Sequence, residues 1–264
     1  MTKPSARSRV RVAPVVAAVA LLAAAPPAWA LDGFEIQVYD GQANAPRETS
    51  LEVHLNHTLQ RHLPKQWREQ AERGHLSHAT FEFAYGLTPW CELGAYLQLA
   101  MPIEPTIRPE FGGSKLRSKF VVPHELSGRW RLGTNVEFAY IPARFDSTGW
   151  GGEIRPILGY RGVRWEVIAN PIIDLNLAEP TGTSLSPAVK AARVVAGAWA
   201  LGAEYYAGTL PTQDNGDLRL KEQYVFVALD LWDRPLEFNL AVGRGLTAGA
   251  QRWVVKTIVG FPLT

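Results

Sequence analysis

Residues 78–101 read HATFEFAYGLTPWCELGAYLQLAM, two alternating runs joined by a turn. In the first run Ala79, Phe81, Phe83 and Tyr85 share one face, and His78, Thr80 and Glu82 share the other. Gly86-Leu87-Thr88-Pro89 breaks the pattern. It then resumes, with Cys91, Leu93, Ala95, Leu97 and Leu99 opposing Glu92, Gly94, Tyr96 and Gln98. Successive side chains of a strand point to opposite faces, so period-two alternation predicts a ribbon with one apolar and one polar side. Each arm is about ten residues, the length at which a tilted strand crosses a hydrocarbon layer.

Moving outward, the same pattern fills the rest of the chain. Leu51, Val53, Leu55 and Leu59 oppose Glu52, His54, Asn56 and Thr58; Leu132, Val136 and Phe138 oppose Arg131, Asn135 and Glu137. Leu201, Ala203 and Tyr205 oppose Gly202, Glu204 and Tyr206, and Leu236, Phe238, Leu240 and Val242 oppose Glu237 and Asn239. The alternation predicts twelve strands, at 50–60, 75–86, 90–101, 115–123, 130–141, 150–160, 165–176, 186–195, 199–208, 223–231, 236–244 and 252–261. An even number of such segments predicts an all-β fold, a twelve-stranded antiparallel up-and-down transmembrane β-barrel over residues 50–264.

Soluble sandwiches alternate too, but three features favour the membrane barrel. Connections after even-numbered strands are short, and most of those after odd-numbered strands are long, which matches short periplasmic turns and longer outer loops. Tyr85, Trp90, Trp130, Tyr160, Trp165, Trp199 and Trp232 fall at the short-turn end, where indole and phenol rings would mark a membrane interface. The polar face carries charges of both signs: Glu52, Glu82, Glu92, Glu137, Glu153, Glu166, Asp174, Glu204 and Glu237, with Lys115, Arg117, Lys119, Arg131, Arg155, Lys190 and Lys256. Such a face suits a wet or ion-paired lumen and not a dry core.

The first thirty residues read as an address. A basic head (Lys3, Arg7, Arg9, Arg11), an apolar stretch from Val12 to Pro26 and Ala28-Trp29-Ala30 predict a signal peptide cleaved after Ala30. Residues 31–49 are then expected to form an N-terminal periplasmic segment, with a short β-like piece at Glu35–Tyr39. The 264-residue chain holds 27 basic and 25 acidic side chains; without residues 1–30, 23 basic residues remain against 25 acidic ones. That balance removes the case for a nucleic-acid partner. The lone Cys91, expected on the lipid face, rules out a disulfide or a cysteine-built metal site within the chain.

The stretch Ala84-Tyr85-Gly86-Leu87-Thr88-Pro89-Trp90-Cys91-Glu92-Leu93-Gly94 resembles the hairpin of Gram-negative outer-membrane barrels of the phenol meta-pathway (MetA-like) type and related uncharacterised barrels. Pro187–Lys190, Leu201–Tyr206 and Val255–Gly260 are similar to later strands of that family. The resemblance implies an outer-membrane location and passage of small solutes, hydrophobic or aromatic ones among them, and brings no catalytic residues. The end departs from the pattern: such barrels close on a terminal aromatic, whereas here Phe261 is followed by Pro262-Leu263-Thr264.

No phosphate-binding loop, metal-ligand spacing or nucleophile elbow is present, and no cofactor or metal is expected. The lumen charges have two readings, a selectivity field across a pore or ion pairs that plug it. An alternative function is an outer-membrane acyl hydrolase using Ser77 and His75, with His57 on the same lipid-facing side and Ser77 as nucleophile. A third is a closed structural barrel. Expected partners are outer-membrane lipid, lipopolysaccharide (which the basic loop 61–74 could touch), the barrel assembly machinery and a small-molecule solute.

Overall fold

Strand β1 (Thr49–Leu59) pairs with β2 (Leu76–Thr88) on one side and with the last strand, β12 (Trp253–Pro262), on the other, both antiparallel, and this second pairing closes the sheet on itself. The computed structural model describes residues 32–59, 65, 67–71, 76–102, 108–147, 149–178, 183–208, 222–232 and 236–264. Between the closing strands run β3 (Cys91–Pro102), β4 (Glu110–Val121), β5 (Trp130–Tyr140) and β6 (Trp150–Arg161). They are followed by β7 (Trp165–Asn170 and Ile173–Asn176), β8 (Thr183–Leu185 and Ala188–Ala196), β9 (Trp199–Ala207), β10 (Gln223–Leu231) and β11 (Glu237–Gly245). Each strand pairs antiparallel with its sequence neighbours, giving a closed twelve-stranded barrel with no free edge. Among the described residues, a helical turn, α1 (His124–Ser127), sits in one short connection.

Exposure follows the alternation. On β3, Leu97 is 43 % exposed while its neighbour Gln98 is fully buried. The same contrast separates Phe83 from Glu82 and Leu116 from Lys115 and Arg117. Apolar side chains therefore clothe the outside while polar ones line much of the interior beside an apolar cluster of Ile157, Ile168, Phe226 and Val254, unlike a soluble β-protein. Across the β5–β6 hairpin, Trp130 pairs with Tyr160 at the short-turn end and Tyr140 with Trp150 at the long-loop end. Ring centroids in these pairs lie 5.4 and 4.8 Å apart. The second pair belongs to an aromatic group at the long-loop end that sequence reading did not single out.

Four expectations are corrected. The fourth strand begins at Glu110, not 115, because a register shift between Gln98 and Leu99 absorbs the irregular Phe111-Gly112-Gly113 stretch. The seventh and eighth strands are each split, at Pro171-Ile172 and Ser186-Pro187, since proline cannot donate to the ladder; the Ser186 amide bridges the gap by donating to Ile172 O at 2.8 Å. Cys91, expected to meet lipid, keeps the outer-face parity of its exposed partner Phe120 but is buried by its neighbours, beside a bulge between Gly86 and Thr88. The fourth correction concerns residues 32–44, expected as a periplasmic segment, which lie inside the barrel; Ala45, Pro46 and Arg47 are exposed at its short-turn end. Residues 1–31, including the expected signal peptide, fall outside the described residues.

Candidate functional site

The stretch Phe34-Glu35-Ile36-Gln37-Val38-Tyr39 runs through the lumen as an extended cord that joins no strand ladder. Phe34, Glu35, Ile36, Val38 and Tyr39 are all buried. A backbone buried in this way needs partners for its polar groups, and side chains of the barrel wall provide them. Asn56 Nδ2 donates to Gly33 O at 3.0 Å, Thr80 Oγ1 to Phe34 O at 2.8 Å and Lys256 Nζ to Ile36 O at 2.9 Å. Arg155 Nη1 donates to Gln37 O at 3.2 Å. Asn170 clasps Tyr39 from both sides, accepting from its amide at 2.7 Å and donating to its carbonyl at 3.1 Å.

The cord starts near the long-loop end, level with Asn56 and His78, and descends toward the short turns. There Asn44 N donates to Glu92 Oε2 at 2.6 Å, and Gly86 exchanges backbone bonds with Arg47 and Glu48 before the chain turns into β1. Two glycines make room for it. A Cβ on Gly112 would lie 2.2 Å from the Phe34 ring, and one on Gly86 would lie 2.0 Å from Ala45 O.

Charges hold the cord as well. Lys115 Nζ reaches Asp32 at 2.6 Å, Glu35 at 2.9 Å and Glu137 at 3.3 Å, so one wall cation joins two cord carboxylates to the barrel. Tyr39 Oη donates to Glu35 at 2.6 Å and meets Tyr96 Oη at 2.7 Å. The Arg155 guanidinium lies 4.4 Å from the centre of the Tyr39 ring, in cation–π range. On the apolar side, Ile36, Val38 and Tyr39 pack with Ile157, Ile168, Tyr206, Phe226 and Val254 from the wall.

The remaining lumen charges are mostly paired. Arg117 joins Glu82 at 2.6 Å to Glu92 at 2.7 Å, and Lys119 reaches Glu92 at 2.8 Å. Arg155 forks onto Glu153 at 2.6 and 3.0 Å. Lys256 meets Glu204 at 2.6 Å, Lys190 meets Asp230 at 2.7 Å, and Arg161 lies 3.5 Å from Glu166. Arg131 and Glu237 line a cavity of about 320 Å³ at the short-turn end, together with Asp40, Glu52, Glu166 and Lys190. A second cavity, of about 220 Å³, lies at the long-loop end and is more apolar, with Phe34, Ile36, Phe145, Leu175 and Val254 in its lining. The cord passes from one to the other: Phe34 and Ile36 line the second, and residues 37–40 line the first.

Tyr85, Trp90, Trp130, Tyr160, Trp165 and Trp199 are exposed at the short-turn end, and Trp232 there is half-buried under the Arg161 guanidinium, 4.2 Å from its ring. Of the expected Ser77–His75 pair, His75 falls outside the described residues. Ser77 Oγ lies 2.8 Å from Nδ1 of His57, directly across the β1–β2 ladder on the outer face. Sequence reading missed the cord. Its signal, the alternation of Phe34, Ile36 and Val38 with Glu35 and Gln37, was visible but is the same as that of a strand.

No protein-family model matches the chain, and no curated protein does. Among solved structures, the chain is similar to an outer membrane channel from Pseudomonas putida F1, with a TM-score of 0.54 at 12% identity, covering 87% of this chain and 100% of that one. The KdgM porin aligns with a TM-score of 0.49 at 9% identity, over 80% of this chain and 98% of the porin. LpxR from Salmonella typhimurium aligns with a TM-score of 0.39 at 10% identity, over 80% and 99% of the two chains. The first similarity shows a shared fold, that of an outer-membrane β-barrel.

Proposed function

We propose that this protein is an outer-membrane barrel that passes small solutes without catalysis, through a lumen held shut at rest by residues 32–44. The observation that carries this reading is the cord itself. A purely structural barrel fills its interior with wall side chains, whereas here a separate chain segment occupies it. That segment is fastened by side-chain hydrogen bonds, a lysine cluster and apolar packing, not by a ladder. The apolar cavity at the long-loop end, against the charged one at the short-turn end, supports entry of hydrophobic or aromatic solutes from outside, in line with the resemblance to meta-pathway barrels. The aromatics at the short-turn end would then sit at the periplasmic interface, and the basic residues of the 61–74 loop would meet lipopolysaccharide.

Planar-bilayer recording of the purified protein tests the proposal. Small, infrequent conductance steps are expected, becoming larger and longer when residues 32–44 are deleted. Electrical silence of both proteins in folded form would refute it.

A second reading rests on the Ser77–His57 hydrogen bond, which puts a nucleophile and a base together on the lipid-facing side. Turnover of a short-chain phospholipid, abolished in Ser77→Ala, would support an acyl hydrolase; absence of turnover would end that reading.

A further inference from the structure

Glu52 and His54 stand two residues apart on the inner face of β1, and Glu82 of β2 pairs directly with Glu52. Two carboxylates opposite one another on a ladder repel. The arginine and lysine nearest them do not settle the matter: Arg117 takes Glu82 Oε1 at 2.6 Å, and Lys119 is committed to Glu92. His54 is fully buried, and neither ring nitrogen has a hydrogen-bond partner among the described residues. Glu82 Oε2 lacks one too. A buried imidazole that stands at ion-pair but not hydrogen-bond distance from its two carboxylate neighbours is costly, and a cation between the three groups would relieve it.

The distances say which. His54 Nε2 lies 3.4 Å from Glu82 Oε2 and 3.6 Å from Glu52 Oε2. Those are longer than an N–H···O hydrogen bond, at about 2.7–3.2 Å. They match the edge of a tetrahedron around an ion with bonds of about 2.0–2.2 Å, roughly 3.3–3.6 Å. All three donor atoms fall within 4.8 Å of one another.

We propose that Glu52, His54 and Glu82 form a binding site for one divalent transition-metal ion of the zinc type inside the barrel wall. The imidazole selects against calcium and magnesium, which take oxygen ligands. Each carboxylate is already oriented by a neighbour, as ligating groups are. Arg117 holds Oε1 of Glu82 and leaves Oε2 to the metal, while Gln37 Nε2 of the cord donates to Glu52 Oε2 at 3.2 Å and leaves that oxygen a second lone pair. Glu52 and Gln37 both line the short-turn cavity, which gives the ion an entry path and leaves a fourth position for water. A bound ion would also offset the Glu52–Glu82 repulsion, and through Gln37 it would tie the cord to the wall.

The test is zinc uptake by detergent-purified, chelator-stripped full-length protein, measured by competition with a chromophoric chelator. One ion per chain is expected, and cobalt in its place should give the strong visible bands of a tetrahedral site. Glu52→Gln, a half-buried and isosteric change, should weaken binding by at least tenfold, and His54→Gln by more. Folding of each variant is checked by its unheated migration on a denaturing gel. Failure of the parent to take up zinc above background overturns the proposal whatever the variants do. Equal uptake by the folded Glu52→Gln protein overturns it as well, by placing the ion elsewhere. Both results are read from metal uptake and not from conductance, so the channel proposal is tested separately.

Discussion

Removing Lys115 should open the lumen. Its ammonium lies within 3.3 Å of three carboxylates, two on the cord (Asp32, Glu35) and one on the wall (Glu137). Lys115→Ala leaves Glu35 and Glu137 facing each other in a buried space without their shared cation. Taking one partner from a buried ion pair costs about 3–5 kcal/mol. The twelve-strand ladder is continuous without this contact, so the penalty falls on the element that can leave. At about 1.4 kcal/mol per tenfold, the balance between seated and withdrawn cord moves by roughly 10² to 10⁴. Single-channel recording in planar bilayers should show it, with Lys115→Ala spending far more time at high conductance and Lys115→Arg behaving like the parent. A folded Lys115→Ala barrel with the parent's conductance and closed times would refute the reasoning, because the cord would then be held by something other than this cluster.

Other outcomes follow from the same geometry. Gly112→Leu should drive Phe34 from its place and raise conductance, and adding Phe34→Ala should reverse most of the effect; overpacking of this kind costs about 1–3 kcal/mol, and recordings on the single and double variants reveal the coupling. Asn170→Ala removes both bonds to Tyr39 and should shorten closed times by roughly 5- to 150-fold, about 1–3 kcal/mol, with unchanged barrel stability in urea titration. Leu97→Arg sets a charge on the lipid face and should cost about 2–4 kcal/mol of folding free energy in liposomes. Lys119→Gln, on the inner face, takes one of the two cations from Glu92 and leaves Arg117 2.7 Å away, so it should cost clearly less than Leu97→Arg.

The barrel was legible because lipid on one side and a polar interior on the other impose a period of two that few other environments sustain. β5, expected at 130–141, is observed at Trp130–Tyr140, and β10 at its expected bounds. Legibility ended where that rule loses its cause. Residues 34–39 alternate like a strand, yet both of their faces are buried by the wall. What marks them as a cord is the set of donors on Asn56, Thr80, Arg155, Asn170 and Lys256, five residues drawn from five strands. Their convergence depends on closure and register, which alternation leaves open. The charges show the same limit. Glu82, Glu92, Arg117 and Lys119 were placed on the inner side, but that Arg117 spans two glutamates depends on strand offsets. His54 was read as one more polar position. Only the pairing of Glu52 with Glu82 brings it into a three-ligand cluster.

The tryptophan–tyrosine pairs at either end of the β5–β6 hairpin act as a ruler. Ten residue steps separate Trp130 from Tyr140, which at the usual rise and strand tilt is about 26 Å along the bilayer normal. That height suits the thin outer membrane of bacteria and falls short of sterol-thickened bilayers, where the lipid would have to compress around the barrel. Refolding should therefore run fastest in vesicles of short acyl chains and slow as the chains lengthen, with the aromatic rims setting the preferred thickness.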